Sequence, residues 1–411
     1  MSALARYFRF KGLDVSGYDK TPTALTDVLQ KEGIRVHFED NAEFVPKEKE
    51  DTLVVYTPAI PEDMGELVYV MESGYNVLKR SRVLGEITRG QKCLAVAGTH
   101  GKTTTTSMIS EILLQAGTDP TISVGGIYKP IGGNIRVGGS EYFVTEACEY
   151  TNSFLSFFPT VGIILNIEED HMDFFKDLAD IRHSFRKFAE LLPADGCLII
   201  NADIPDYREI TDGLTCKVIT CSMRDTSADY YPSDITHDTL GHPSFNVHTG
   251  VPGAEPVRSV SLSVPGDHNV GNALTAIALA DLLGVETETT RKALLSFTGT
   301  DRRFELKGRI GDITIIDDYA HHPTEITATL KAAQNYPHNT LWCVFQPHTY
   351  TRTRALLKEF AEALSQAENL VLADIPEVKG VALSDLLHDF LTTNADIAVC
   401  WSLEPLQLAQ P

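Results

Sequence analysis

The sequence predicts an α/β protein built on parallel sheets, and three observations predict it. Apolar strand-like runs alternate with helix-like segments from the first residues onward. The most apolar of these runs end in polar or Gly-bearing loops, and the alternation restarts near residue 301 after a polar, turn-rich stretch. At 411 residues the chain exceeds one ordinary domain, and two or three are expected.

Over residues 1–90, Ser2–Lys11 reads as a helix and Leu13–Tyr18 as a short strand. Thr52–Tyr56 reads as a second strand, closed by the breaker Thr57-Pro58-Ala59. Over 91–300, the buried strand Cys93–Ala97 runs into a Gly-rich turn and a helix from Lys102 to Ala116, with Met108, Ile109, Ile112 and Leu113 as its apolar stripe. Tyr142–Thr145, Val161–Leu165 and Cys197–Ile200 are further buried strands, and 222–258 is a β-rich excursion. His268–Leu283 is a helix with Val270, Leu274, Ile277 and Leu282 on one side. Over 301–411, strands Ile313–Ile316, Leu341–Phe345 and Leu370–Ala373 alternate with helices Thr324–Gln334 and Arg352–Ser365.

Composition narrows the function classes. With 43% hydrophobic and 22% charged residues the chain is globular, and no window approaches a membrane span. The N-terminus has no apolar core of a signal peptide, so a cytoplasmic protein without stable membrane association is expected. A net charge of −21 argues against a nucleic-acid partner, while local loop amides and metal ions still hold small anions. The seven cysteines are scattered without a CxxC pair and read as reduced, buried small side chains.

Seven motifs carry chemistry. Gly98-Thr99-His100-Gly101-Lys102-Thr103-Thr104 lies between a buried strand and a helix start. Phosphate needs close backbone N–H groups, which glycine permits, a helix N-terminus and a lysine. Thr103 supplies the hydroxyl expected on Mg²⁺. Val96 stands where the general phosphate-loop pattern has its first Gly, so the loop is a variant opening at Gly98. A chance match to this pattern occurs in roughly one chain in sixty, so the phosphate reading stands. Glu146, at the end of strand 142–145, is positioned to hold Mg²⁺ or to cap a helix. Asn166–Asp173 puts four carboxylates and His171 after a strand, either a metal site or a charged loop. Asn269 and Asn272 share a helix side and suit an adenine edge, with Asn269 equally readable as an N-cap. Arg302 and Arg303 suit phosphate or an exposed turn. Asp318, Tyr319 and His321 follow one strand, and His348 and Arg352 another, where α/β sheets bind ligands.

GTHGKTT, EACEYTNSFL, NIEEDHMD, HNVGNAL, GTDRRFELKG, DDYAHHPTEI and FQPHTYTRT, in that order over about residues 98–355, resemble the motifs of the Mur ligase family. SGYDKT and RSRVLGEI resemble that family's nucleotide-sugar domain, and DDYAHHPTE with FQPHTYTRT is similar to its alanine-adding members. The resemblance implies three domains: a Rossmann-like UDP-sugar domain over 1–89, a central ATP-binding ligase domain with a parallel sheet and a smaller β-rich part over 90–300, and a Rossmann-like C-terminal domain over 301–411. It implies ATP-dependent joining of L-alanine to the lactyl carboxylate of UDP-N-acetylmuramate through an acyl phosphate, in peptidoglycan precursor synthesis, with ATP and Mg²⁺ as cofactors. A monomer or weak dimer is expected. The alternatives are a murein-peptide recycling ligase and an inactive nucleotide-binding paralogue.

By position, the resemblance gives Lys102, His171 and Arg303 catalytic roles and assigns Mg²⁺ to Thr103, Glu146 and His171. ATP falls to Gly98 through Thr104, Asn269, Asn272, Arg302, Asp318 and His321. Substrate falls to Tyr319, His348 and Arg352, with Thr349 where relatives often have a second Arg. Lys187 stands where some members carry a carbamylated lysine, which this type is not expected to need. The family opens with a strand and a Gly-rich turn before MSALA and carries a late Gly-Ala-Gly-Asp segment. Incompleteness at both ends, and hence weak UDP-sugar binding, is therefore expected.

Overall fold

The structure, a computed structural model, describes residues 1–57, 60–250, 257–347, 350–373 and 399–401. Pro58, Ala59, His348 and Thr349 lie outside the described residues.

A ten-stranded sheet organises the middle of the chain. In spatial order its strands are Arg258–Ser261, Pro243–Thr249, Tyr230–His237, Lys217–Cys221, Cys197–Asn201, Pro159–Ile164, Lys92–Ala97, Tyr142–Glu146, Thr121–Tyr128 and Gly133–Arg136. From Tyr230–His237 through Thr121–Tyr128 neighbouring strands pair in parallel, and both sheet edges turn antiparallel. The β-rich excursion after residue 222 therefore extends the main sheet instead of forming a separate layer. Strands Lys92–Ala97 and Pro159–Ile164 are apolar nearly throughout, as strands buried on both faces must be.

Helices Lys102–Gln115, His268–Leu282 and Thr287–Ser296 cover one face through Met108, Ile112, Leu274, Ile277 and Leu294. The other face packs against helices Arg80–Thr88 and Leu178–Glu190 through Leu84, Ile181, Phe185 and Phe188. Helix Leu178–Glu190, which the sequence pattern did not predict, is capped by Asp177, which accepts from the Asp180 N–H at 2.9 Å.

Helix Ser2–Phe10 forms as expected, but the strand after it is only Ser16–Tyr18, paired in parallel with Arg35–His37. Leu53–Tyr56 pairs with Asn76–Lys79 in a second two-stranded sheet. Toward the C-terminus, Ile313–Asp317 forms an antiparallel hairpin with Glu305–Ile310, a strand absent from the sequence reading. Trp342–Phe345, Asn369–Leu372 and Val399–Trp401 form a parallel sheet. The helix expected over 352–365 is two helices, Tyr350–Ala355 and Leu357–Leu364, broken at Leu356.

Candidate active site

In the central sheet the chain leaves Lys92–Ala97, builds strands on one side and then crosses to Pro159–Ile164 on the other. An α/β sheet opens its ligand crevice at such a reversal, beyond the strands' C-terminal ends. The loops after four strands meet there: 98–101, 147–149, 165–171 and 202–205. The phosphate loop needs glycine at two positions. Gly98 has φ +143°, and a Cβ there would sit 3.0 Å from the Leu165 Cβ. Gly101 caps helix Lys102–Gln115 in the left-handed region, and a Cβ there would meet Asn272 Oδ1 at 2.8 Å.

The Lys102 ammonium folds back over this loop. It donates to the carbonyls of Gly98 and Thr99 and lies 3.0 Å from a carboxylate oxygen of Glu149. Burial opposes its charge most strongly, but Glu149 together with Cys148 and Glu146 outweighs burial and holds the Lys102 pKa above its ordinary value. Glu149 is only 2% exposed. The sequence reading passed over it in favour of Glu146, three residues away. Glu146 accepts the Gly125 N–H, beside Gly126 and the Thr103 methyl, so Thr103 and Glu146 converge on one strand segment. Glu149 continues to the next group, with Oε1 3.9 Å from His171 Nε2. Cys148, between the two glutamates, is exposed, unlike the buried small side chain expected.

His171 takes a left-handed backbone, φ +55°, uncommon for a residue with a Cβ, and stacks on Tyr150 at 4.4 Å between centroids. Burial lowers its pKa, which favours the neutral imidazole that ligates metal. The neighbouring Asp170 is buried and accepts from Arg352 Nε at 2.8 Å. Burial raises the Asp170 pKa, but Arg352 and His171 outweigh that and lower it. Arg352 thus already holds a carboxylate bidentately, within the chain, where the resemblance gives it to the substrate. Tyr150, Asp170, His171, Tyr319, His321 and Arg352 line a hollow of about 310 Å³. His348 lies outside the described residues. Lys187 is exposed on helix Leu178–Glu190.

A larger hollow, about 490 Å³, lies alongside and takes in His100, Gly101, Thr104, Asn269, Asn272, Arg303, Asp318 and Glu325. Asn269 is not an N-cap: it sits inside the helix and donates to the Pro265 carbonyl at 2.8 Å, while Asn272 donates to Asn269 Oδ1 at 3.0 Å. Arg303 borders this hollow; Arg302 does not, its guanidinium lying over the Tyr319 ring at 4.7 Å and Nε 3.6 Å from Asp317. The structure thus separates two neighbours that sequence treated alike. It also separates Asp318, on the larger hollow, from His321, on the smaller. Burial raises the Asp318 pKa against two backbone N–H donors, from Phe304 and Ala320. Asp203 and Arg224 also line the larger hollow and were not singled out. Their signal was faint: a lone Asp after a strand and a lone Arg in a polar loop.

At the seam between the phosphate loop and helix Pro323–Gln334 lies a charged cluster. His100 Nδ1 is 3.2 Å from Glu325 Oε1, and its Nε2 is 3.4 Å from Glu168 Oε2. Thr324 donates to Glu168 at 2.6 Å, and His322 Nε2 lies 3.1 Å from the Glu169 carbonyl. His100, Glu168 and His322 each offer a donor atom within 4.8 Å of the others, a spacing that a metal ion could use. However, His322 Nδ1 accepts the Thr324 N–H and its Nε2 faces a carbonyl, leaving neither nitrogen free. Burial lowers the His100 pKa, but the two glutamates outweigh it and raise it to about 9.

The folded state holds the His100 proton more tightly, so this contribution to stability is complete below about 6.5 and disappears as pH rises through about 9. Glu325, whose pKa burial raises but His100 lowers further, acts oppositely, contributing above 4.5 and losing its effect on acidification. The melting-temperature advantage of the parent over His100→Asn is expected to shrink between pH 7 and 10. A constant advantage over that range would reject a protonated His100.

Models of the family cover most of the chain: "Mur ligase family, catalytic domain" over residues 1–92, "Mur ligase middle domain" over 96–280 and "Mur ligase, glutamate ligase domain" over 302–404. The UDP-N-acetylmuramate–L-alanine ligase of Lachnospira eligens is 51% identical across 99% of this chain and 89% of its own length. The protein of the same name from Clostridium novyi is 46% identical over 96% of this chain and 85% of its own length. Among solved structures, the UDP-N-acetylmuramate-alanine ligase of Thermotoga maritima superposes with a TM-score of 0.81 at 28% identity, covering 98% of this chain and 88% of that one. A murein peptide ligase from Psychrobacter arcticus gives 0.74, also at 28% identity, with the same coverage. With all three family models matched in order along one α/β chain, this protein belongs to the Mur ligase family.

Proposed function

We propose that this chain joins L-alanine to the lactyl carboxylate of UDP-N-acetylmuramate, with ATP cleaved to ADP and phosphate. The observation that carries the reading is the line of side chains from the phosphate loop to the smaller hollow: Lys102, Glu149, His171, Asp170 and Arg352, each within 4 Å of the next. A carboxylate is a poor electrophile until one oxygen becomes a leaving group. A carboxylate oxygen attacks the γ-phosphorus, and the bond to the bridging oxygen of ADP breaks. The alanine amine then attacks the acyl carbon, and phosphate leaves with the former carboxylate oxygen. Phosphoryl transfer asks mainly for positioning and charge neutralisation. Lys102 and the amides of the loop suit the phosphates, Asn269 and Asn272 the base, and Arg303 the outer phosphate.

The donor set also fits Mg²⁺, which takes hard oxygen ligands: Thr103, on its helix, and Glu146 both abut the strand at Gly125–Gly126, and Glu149 stands between Lys102 and His171. Held by these groups, the ion would neutralise charge on the transferring phosphoryl group. We assign the sugar nucleotide to residues 1–89, ATP to 90–300 and closure over ATP with alanine binding to 301–411. The names of the full-length relatives support this substrate pair.

ADP release should require both UDP-N-acetylmuramate and L-alanine. Release driven by a murein tripeptide but not by L-alanine would instead identify a recycling ligase. Arg352→Ala is expected to raise the L-alanine KM at least about ten-fold, because a charge-assisted contact contributes about 1.5–3 kcal/mol. An unchanged alanine KM would remove Arg352 from the amino-acid site.

A further inference from the structure

Glu325 lies on the first turn of helix Pro323–Gln334 yet makes its principal contacts elsewhere. Its Oε1 is 3.2 Å from His100 Nδ1, in the phosphate loop, and 3.7 Å from Arg303 Nη1, on the wall of the larger hollow. Its Oε2 accepts the His321 N–H at 3.0 Å and lies 3.5 Å from the His321 ring. Its side chain is only 12% exposed. One carboxylate thus ties a loop of the central sheet to a cation and an imidazole that border the two hollows. The loop end of this tie is rigid: the His100 N–H donates to Asn166 Oδ1 at 2.7 Å, and Asn166 Nδ2 donates back to the His100 carbonyl at 3.1 Å. Thr324–Glu168 runs beside it as a second link between the same segments.

We propose that Glu325 and His100 are positioning residues for the ligase reaction, their ion pair docking the C-terminal segment on the phosphate loop and aiming Arg303 at the outer phosphate. Neither side chain needs to touch a reacting atom. With the pair intact, the phosphate loop and Arg303 share one reference point, and the donor that meets developing charge is in place before reaction. With it broken, Lys102 and the loop amides still receive nucleotide, but Arg303 loses its fixed partner. The cost therefore falls on turnover rather than on nucleotide affinity.

The inference rests on the proposed ligase reading, and the parent protein tests that reading first. If the parent releases no ADP with ATP, UDP-N-acetylmuramate and L-alanine together, the activity assignment fails, whatever the variants do. Given activity, Glu325→Gln, His100→Asn and the double variant are compared by kcat, KM for ATP and affinity for a non-hydrolysable ATP analogue, with melting temperatures measured alongside. Each single change is expected to lower kcat about thirty-fold or more and to shift analogue affinity less than about three-fold. The double variant should lose little beyond either single one, since both remove one contact. Glu325→Asp, which keeps the charge on a shorter arm, should recover part of kcat. It also serves as the comparison if Glu325→Gln does not fold. Losses that multiply in the double variant, or that appear only in analogue affinity, would overturn the proposal, as would parental kcat in Glu325→Gln or no recovery in Glu325→Asp.

Discussion

Lys102→Ala is expected to abolish alanine-dependent ADP release, with a loss of at least about 10²–10³ in kcat, the usual effect of removing one pre-placed charge donor. The same change should destabilise the fold. Half-buried Lys102 pairs with Glu149, which is 2% exposed, so removing the ammonium strands a carboxylate without its cation. Breaking one side of a buried pair costs about 3–5 kcal/mol. From sequence alone the residue reads as a phosphate contact outside the core, whose loss should not unfold the protein; the Glu149 pairing adds a stability cost to that expectation. The two effects come apart in a second variant. Lys102→Met combined with Glu149→Gln removes both charges at similar volume and should regain most of the melting temperature while remaining inactive. More than about a tenth of parental turnover in either variant, a loss under 1.4 kcal/mol, would remove Lys102 from the reaction.

His171→Asn should lower kcat by at least about 100-fold while ATP affinity changes less than about three-fold. Asparagine is the informative replacement because residue 171 has φ +55°, a conformation that Asn adopts more readily than Ala. The loss then reports the imidazole, not a collapsed loop. His171 lies among Glu149, Asp170 and Tyr150 and lines the smaller hollow, whereas Asn269 and Asn272 line the larger one, so the acyl-phosphate step should suffer most. Equal losses in nucleotide affinity and turnover would contradict this placement.

Much of the central sheet was legible because its strands are apolar on both faces and end in Gly-bearing or acidic loops, as at Cys93–Ala97 followed by Gly98. Weaker elements escaped for a physical reason. Thr121–Tyr128 carries two glycines and a serine, and Leu178–Glu190 spaces Ile181, Phe185 and Phe188 among charges, so local pattern gave little signal until the sheet buried them. The break at Leu356 was hidden too, since no Pro or Gly marks it. In the site, the motif residues were found, but their partners were not. Glu149 looked equivalent to Glu146 in one short acidic motif, and Arg302 equivalent to Arg303.

The sequence by itself determined the family of the chain, the loops that bear its chemistry and the α/β class, because these depend on local spacing: glycines at a strand-to-helix turn, carboxylates just after apolar runs. Only the tertiary structure decided which charges meet. Asp170 and Arg352 pair across 182 positions, and His100 meets Glu325 and Glu168 through segments far apart in the chain. Strand order, not chain order, sets those neighbours, since the sheet places Lys92–Ala97 between strands that come later on either side. Side-chain pairing at a few ångströms is fixed only when buried apolar faces have locked that order in place.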